Sequence, residues 1–480
     1  MTKISPQDMS GTGGRAGVPA RSRRQVVFWA ATAVVGLGFL IALEGVARRL
    51  GIPGPITTQV REVVFPPDSG GLLYASLALT MVVLTWRERF LALGAAVGVD
   101  VLFLAVRWAL DIEVTEGHPF GNGALWVILA CAVLALTRRA GRERELLLKG
   151  VGLGLLLVAG RKTGDTWLLI TSETRPMVLD PYLAAADHAL GDPSWLAGRL
   201  VTAAGPVGFH VLDFVYGNLA VAAVVVALYQ LRRVAVERRI PRHHLVRTFL
   251  VIGLLGPACY MIFPVVGPLF AYGTGAEYWA AVSLWQPDTP SSAPWAVGEL
   301  WPRILPPVDA PAPMPFDEIT PRNCMPSLHT AWATAIFLHS RQGPRALRYA
   351  GTLWLVATLC ATLGFGYHYG VDLIAGVVFT LTVEAALRSH DRGWPRQGIR
   401  LVAHGSAVFV ALLLAYRWLP VRMAELPWLA GPLLLLATAS VVHAYRRTTA
   451  DWPPTPADPP APQPEPDPLP PPLPHQEPAR

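Results

Sequence analysis

The feature that most restricts what this chain can become is its succession of long uncharged apolar runs, separated by short stretches that hold most of the charge. A helix needs ~20 apolar residues to cross ~30 Å of hydrocarbon, and so many runs of that kind have no place in a soluble core. Of 480 residues, 52% are hydrophobic and 15% charged, against roughly 25% charged in a soluble domain. The expected fold is therefore all-α, a polytopic transmembrane helical bundle. The runs place twelve spans, at 25–44, 71–86, 90–110, 124–137, 146–170, 201–230, 246–268, 327–340, 346–364, 367–388, 398–419 and 428–445.

The formal net charge of +7 invites a nucleic-acid reading, but its distribution argues against one. With a cytoplasmic N-terminus, the segments on the inner side hold 28 of the 40 Lys and Arg residues and those on the outer side 9. Arg107, Arg161 and Lys162 fall within spans. Such an asymmetry orients helices in a cell membrane, and it places both termini in the cytoplasm. The run Val26–Leu43 is longer than a signal-peptide core and reads as the first span. Cys131, Cys259, Cys324 and Cys360 form no CxxC pair, so neither a zinc site nor a disulfide framework is expected. No cofactor or metal is called for.

Two regions resist a helical reading. Residues 451–480 hold 14 of the 45 prolines and are expected to form an extended, disordered cytoplasmic tail. The outer loop Leu269–Pro326 carries Trp279, Trp285, Trp295 and Trp301 among eleven prolines. Tryptophan favours the membrane interface, so this loop is expected to lie along the outer surface as a lid.

Two of the twelve histidines stand apart. His329 follows Pro326 and Ser327, residues suited to a helix start. His368 precedes Asp372 by four positions, which would put both on one helical face. A carboxylate there fixes the imidazole tautomer and leaves the other nitrogen as nucleophile or base. His188 and Asp192 share the interval, but Gly191 and Pro193 argue against a common helical face for them. The span order brings His329 and His368 to the same leaflet, a plausible nucleophile, acid and orienter for phosphoester chemistry.

These residues resemble a known family. Pro326-Ser327-Leu328-His329, followed by His368-Tyr369 with Asp372 and Ala375-Gly376, is similar to the second and third motifs of the phosphatidic acid phosphatase type 2 superfamily. Leu328 and Tyr369 resemble its inositolphosphotransferase branch, which includes inositol phosphorylceramide synthases. Tyr260, Pro264, Gly267 and Pro268 resemble that branch's first motif. The resemblance covers roughly residues 180–390. It implies a six-helix core and two-step transfer: His368 attacks phosphorus, Asp372 orients it, and His329 protonates the leaving oxygen, then activates water or an alcohol. It implies no metal.

The wider superfamily holds phosphate oxygens with a Lys and an Arg in the first motif and an Arg in the third. Here those positions read Tyr260, Gly267 and Thr362. Arg322 and Arg303, the basic residues of the long outer loop, are the expected substitutes, helped by Ser327 and backbone N–H groups at the helix start. Tyr260 and Tyr367 complete the candidate substrate contacts.

The expected organisation is a basic N-terminus (1–24), a transmembrane region of unknown role (25–170), a catalytic domain (171–390), C-terminal helices (391–450) and the tail (451–480). The expected activity is transfer of a phospho-headgroup from a membrane lipid to an alcohol at the extracytoplasmic face. The alternatives are a lipid or polyprenyl phosphate phosphatase, and a transporter using Asp100, Arg107, Arg161, Lys162, Asp165, His210 and Asp213, ionisable residues inside apolar runs.

Overall fold

The computed structural model describes residues 23–111, 118–272, 310–318, 320–450 and 452. The expected lid tryptophans, Arg303, the basic N-terminus up to residue 22 and nearly all of the proline-rich tail lie outside them.

The N-terminal part comprises α1 (Arg23–Arg49), α2 (Pro55–Arg61), α3 (Gly70–Met81), α4 (Trp86–Ala109), α5 (Asn122–Thr137) and α6 (Gly141–Thr174). Next come α7 (Asp180–Asp187), α8 (Pro193–Gly217), α9 (Leu219–Leu231), α10 (Val234–Glu237), α11 (Leu245–Ile262) and α12 (Pro268–Tyr272). The last described helices are α13 (Leu328–Ser340), α14 (Arg345–Gly364), α15 (Gly370–Asp391), α16 (Arg396–Trp418), α17 (Pro420–Glu425) and α18 (Pro427–Ala450). The strands among the described residues, β1 (Met177–Val178) and β2 (Met314–Pro315), pair antiparallel and close the long loop onto the end of α6. Eight helices among the described residues are long and apolar enough to cross a membrane.

Each expected span coincides with helix over most of its range, with one correction. Residues 201–230 are not one helix: α8 and α9 meet at Asn218, and α8 itself bends where Gly205 adopts φ 66°, ψ −163° ahead of Pro206. Only glycine populates that region freely, and proline cannot donate the helical bond. The bend has a purpose in the architecture. A straight helix of this length would separate its ends by roughly 37 Å, yet Ser194 near its start donates to the His368 carbonyl and Tyr216 near its end meets His329. α9 then runs beside α13 from the level of His329 to that of His339, where Gln230 bonds His339 Nδ1 at 2.9 Å.

Buried polar groups of the N-terminal bundle are tied to backbone. Asp100 of α4 accepts the Tyr74 hydroxyl at 2.7 Å and the N–H groups of Gly121 and Gly123 at 2.9 and 2.7 Å, so it caps the start of α5. Arg107 donates to Asn122 Oδ1 at 2.8 Å, and Lys162 pairs with Glu62 at 2.6 Å. These three of the ionisable residues weighed for transport thus join helices and loops together.

At the face away from His329 and His368, Glu384 of α15 faces His243 at 2.8 Å, Thr248 at 2.9 Å and His339 at 3.4 Å. Leu245 N–H donates to Gln230 Oε1, which turns the Gln230 amide nitrogen toward His339 Nδ1. His339 Nδ1 must then accept, so its proton sits on Nε2 and points at Glu384. The same face gathers Arg238 with Glu143, and Arg247 with Asp391.

The C-terminal helices buttress α15. Tyr416 of α16 donates to the Val371 carbonyl at 3.3 Å, and α18 comes so close to the turn after α7 that a Cβ on Gly431 would lie 2.3 Å from the Ala189 carbonyl oxygen.

Replacing Asp100 with Ala should strip α5 of its cap and leave two buried N–H groups unpaired. At about 1–3 kcal/mol for each unsatisfied group, the thermal midpoint in detergent should fall clearly below that of the parent. An unchanged midpoint would contradict the capping role.

Candidate active site

The site is assembled where three chain segments meet: the approach to α13, the turn between α14 and α15, and the loop after α11. Ser327 caps α13 by accepting the Thr330 N–H at 3.3 Å, while its own N–H donates to the Asp372 carbonyl at 3.3 Å. The start of α13 is thereby tied to that of α15.

His368 does not lie on a helix. The sequence expectation of a shared helical face with Asp372 is corrected here, since α15 begins only at Gly370 with Tyr369 as its N-cap. Asp372, in the first turn, reaches back to accept the Tyr369 N–H at 2.9 Å, and this reach presents Oδ2 to His368 Nδ1 at 3.3 Å. His188 and Asp192 show the same effect, for they bond at 2.7 Å around the left-handed residues Gly191 and Asp192, with only the 3-10 turn His188–Leu190 beneath them and no shared α-helical face.

His368 Nδ1 also lies 3.1 Å from the Cys324 carbonyl oxygen. A carbonyl only accepts, so Nδ1 carries the proton and Nε2 keeps its lone pair. The Cys324 thiol donates to Asp372 Oδ2. The backbone of His368 is fixed as well, by its N–H to Thr362 O at 3.3 Å and by the Ser194 hydroxyl to its carbonyl at 2.6 Å. Burial pushes the His368 imidazole down to about 4, so the ring is neutral over the physiological range.

His329 lies across from it, with ring centroids 6.4 Å apart and planes at 60°. Tyr216 stacks on His329 at 4.2 Å and 17°, its hydroxyl 3.1 Å from Nδ1. Tyr367, Phe365 and Phe270 extend this aromatic wall.

The loop after α11 is held by a carboxyl outside every sequence motif. Asp180 accepts the N–H groups of Val266 and Gly267 at 3.0 and 2.9 Å and the Tyr369 hydroxyl at 3.0 Å. Burial lifts Asp180 to about 7, against those three donors, which favour the ionised form. One turn pair further along α7, Asp187 accepts the Val371 N–H at 3.1 Å. Gly267 has φ 102°, and a Cβ there would sit 2.3 Å from the Tyr367 carbonyl oxygen. Only glycine lets the loop pass this close to the histidine turn.

The structure thus brings His329, His368, Asp372 and Ser327 together with Tyr367 beside them. Tyr260 is buried in the α11 wall among Leu328 and Ala331. Arg322 is corrected: its guanidinium is fully buried and donates to the carbonyls of Arg175, Thr320 and Asp317, which makes it a strut of the loop. Sequence reasoning missed Tyr216, Cys324, Ser194, Asp180 and Asp187. Only Asp180 and Asp187, acids one α7 face apart at seven residues, left any signal in the sequence.

Among the described residues, two side-chain groups have metal-ligand chemistry, Cys324–His368–Asp372 and His243–His339–Glu384, each with donor atoms within 4.8 Å of one another. In each, one imidazole nitrogen already has a hydrogen-bond role: His368 Nδ1 donates to a carbonyl, and His339 Nε2 faces Glu384 with its proton.

No curated protein and no solved structure matches this chain. Residues 27–170 match the family model of a domain of unknown function (DUF5933). Residues 181–386 match that of the PAP2 superfamily, the phosphatidic acid phosphatase type 2 superfamily, and both histidines and Asp372 lie within the matched segment.

Proposed function

We propose that this chain is a membrane lipid phosphotransferase that works through a phosphohistidine. The observation that carries the reading is the tautomer of His368: with Nδ1–H committed to the Cys324 carbonyl and Asp372, the bare Nε2 is a neutral nucleophile. His368 Nε2 attacks phosphorus, the ester P–O bond breaks, and the leaving oxygen takes a proton from His329, which enters the step as imidazolium beside the bound phosphate anion and leaves it neutral. An acceptor hydroxyl then returns its proton to His329 and attacks the same phosphorus, and the P–N bond breaks. Asp372 stabilises the positive charge that forms on His368 during the first step. The aromatic wall of Tyr216, Tyr367, Phe365 and Phe270 suits the acyl or sphingoid part of a lipid.

The motif variant at Leu328 and Tyr369 supports transfer to an alcohol, as in inositolphosphotransferases, over hydrolysis. The Lys and Arg asymmetry supports an extracytoplasmic site with cytoplasmic termini.

Incubation of the purified protein with labelled lipid phosphates and phosphodiesters, with and without inositol and other polyols, tests this directly. Label should appear in a new phospholipid or phospho-alcohol. Release of free phosphate alone, whatever the alcohol, would replace transfer with hydrolysis. His368→Ala should abolish turnover, and His329→Ala should lower it by about 10²-fold or more, the usual contribution of a general acid–base. Full activity of either variant would break the assignment.

The pH dependence follows from the neutral His368. The reactive form persists as pH falls until about 4, so single-turnover phosphorylation should lose its rate in that region. An acid limb centred near 6.5, the value of an unperturbed histidine, would contradict the buried-nucleophile geometry.

A further inference from the structure

The candidate site contains two imidazoles and a carboxyl, yet a phosphate brings one or two negative charges. Arg322 is occupied by carbonyls, and the motif positions expected to be basic are Tyr260, Gly267 and Thr362. Arg303 lies outside the described residues, so among the described ones the cation has to come from elsewhere in the fold.

α6 presents two faces. Lys162, Thr166 and Ile170 turn toward the N-terminal bundle, where they meet Glu62, the Pro53 carbonyl and the Leu43 cluster. By the 3.6-residue period, Arg161, Leu168, Ser172 and Arg175 share a different stripe. Leu168 packs against the cluster that holds Tyr260 and Leu328. Ser172 donates to the Thr320 carbonyl at 2.9 Å, and the Arg175 carbonyl accepts from Arg322. That stripe therefore faces the segment leading into His329, and the Arg161 charge acts on His329 electrostatically.

Arg161 is paired with Asp165 one turn away, at 2.8 Å, and both side chains keep access, 56% and 38%. An accessible guanidinium inside an expected span such as 146–170 is not left in hydrocarbon; such groups line water-filled clefts or ligand paths. Asp165 holds the fork in place while leaving its outer N–H edge for an anion.

We propose that Arg161 is the phosphate-binding cation of this site, supplied by α6 from outside the PAP2 superfamily segment. This rests on the phosphotransfer reading and gives the N-terminal region a catalytic reason to be joined to the rest: it completes the anion site. The ligand chemistry is a phosphoryl group, either of a lipid headgroup or of free phosphate.

The test uses full-length protein in lipid nanodiscs, as wild type, Arg161→Gln and Arg161→Lys, with orthophosphate and dioctanoyl phosphatidate as calorimetric probes. Arg161→Gln should weaken binding of at least one probe by about tenfold or more, the scale of a charge-assisted contact, at an unchanged thermal midpoint. Arg161→Lys should recover part of it, and also carries the comparison if the Gln variant does not fold. Loss for phosphatidate only assigns the site to headgroups, and loss for orthophosphate only to the free anion. Equal binding of both probes by wild type and variants, or no binding of either by wild type, overturns the proposal. Absence of turnover by wild type on every lipid phosphate would instead strike the phosphotransfer reading, and the binding comparison would still decide on Arg161.

Discussion

One carboxylate oxygen organises the site. Asp372 Oδ2 accepts the Tyr369 N–H, takes the Cys324 thiol proton and faces His368 Nδ1. Each contact fixes a different element: the first starts α15, the second draws in the approach to α13, and the third sets the imidazole. The geometry of the candidate site and the local fold are thus the same set of bonds. A buried polar network of this kind costs desolvation energy and is tolerated when its members are mutually satisfied.

Around that oxygen the protein spends other polar groups on backbone. Asp180 and Asp187 of α7 hold the loop after α11 and the first turn of α15, so a short helix outside the bundle bolts together the two sides of the cleft. α16 and α18 press α15 from behind through Tyr416 and Gly431. α8 folds back at Gly205 so that one helix serves both histidines, with Ser194 at His368 and Tyr216 at His329. The two polar centres of α13 and α15, His329 with His368 and His339 with Glu384, occupy opposite ends of these helices, which fixes their relative rotation at both ends.

The helical class and the positions of nearly all helices were legible because apolar runs between charged loops have one physical solution in a bilayer; the expected count of twelve spans was not, since eight helices among the described residues are long and apolar enough to cross. The pair His329 and His368 was legible from span order, which predicts that two residues separated by one return crossing share a face. The break at Gly205 was harder to see, since an apolar run from 201 to 230 has the same composition whether it crosses once or folds back. The spacing of His368 and Asp372 led to the right contact through the wrong local structure, because a capping carboxylate at the third helical position also reaches a residue four earlier. Arg322 illustrates the opposite case: its charge was plain, but the three carbonyls that consume it come from segments 147, 5 and 2 residues away, and periodicity carries no information on such contacts. Cys324 left no trace, as a lone cysteine looks the same whether it packs or donates to a carboxylate.

The central claim is that His368 Nε2 bonds to phosphorus while Nδ1 keeps its proton against Cys324 and Asp372. Rapid quenching of the enzyme with phosphorus-labelled lipid substrate, followed by proteolysis at high pH and mass spectrometric mapping, addresses it most directly. The account predicts an acid-labile phosphate on the peptide containing residue 368, substituted at Nε2 and absent from His368→Ala. Label on His329, or turnover with no phosphorylated histidine under conditions that trap other steps, would contradict it.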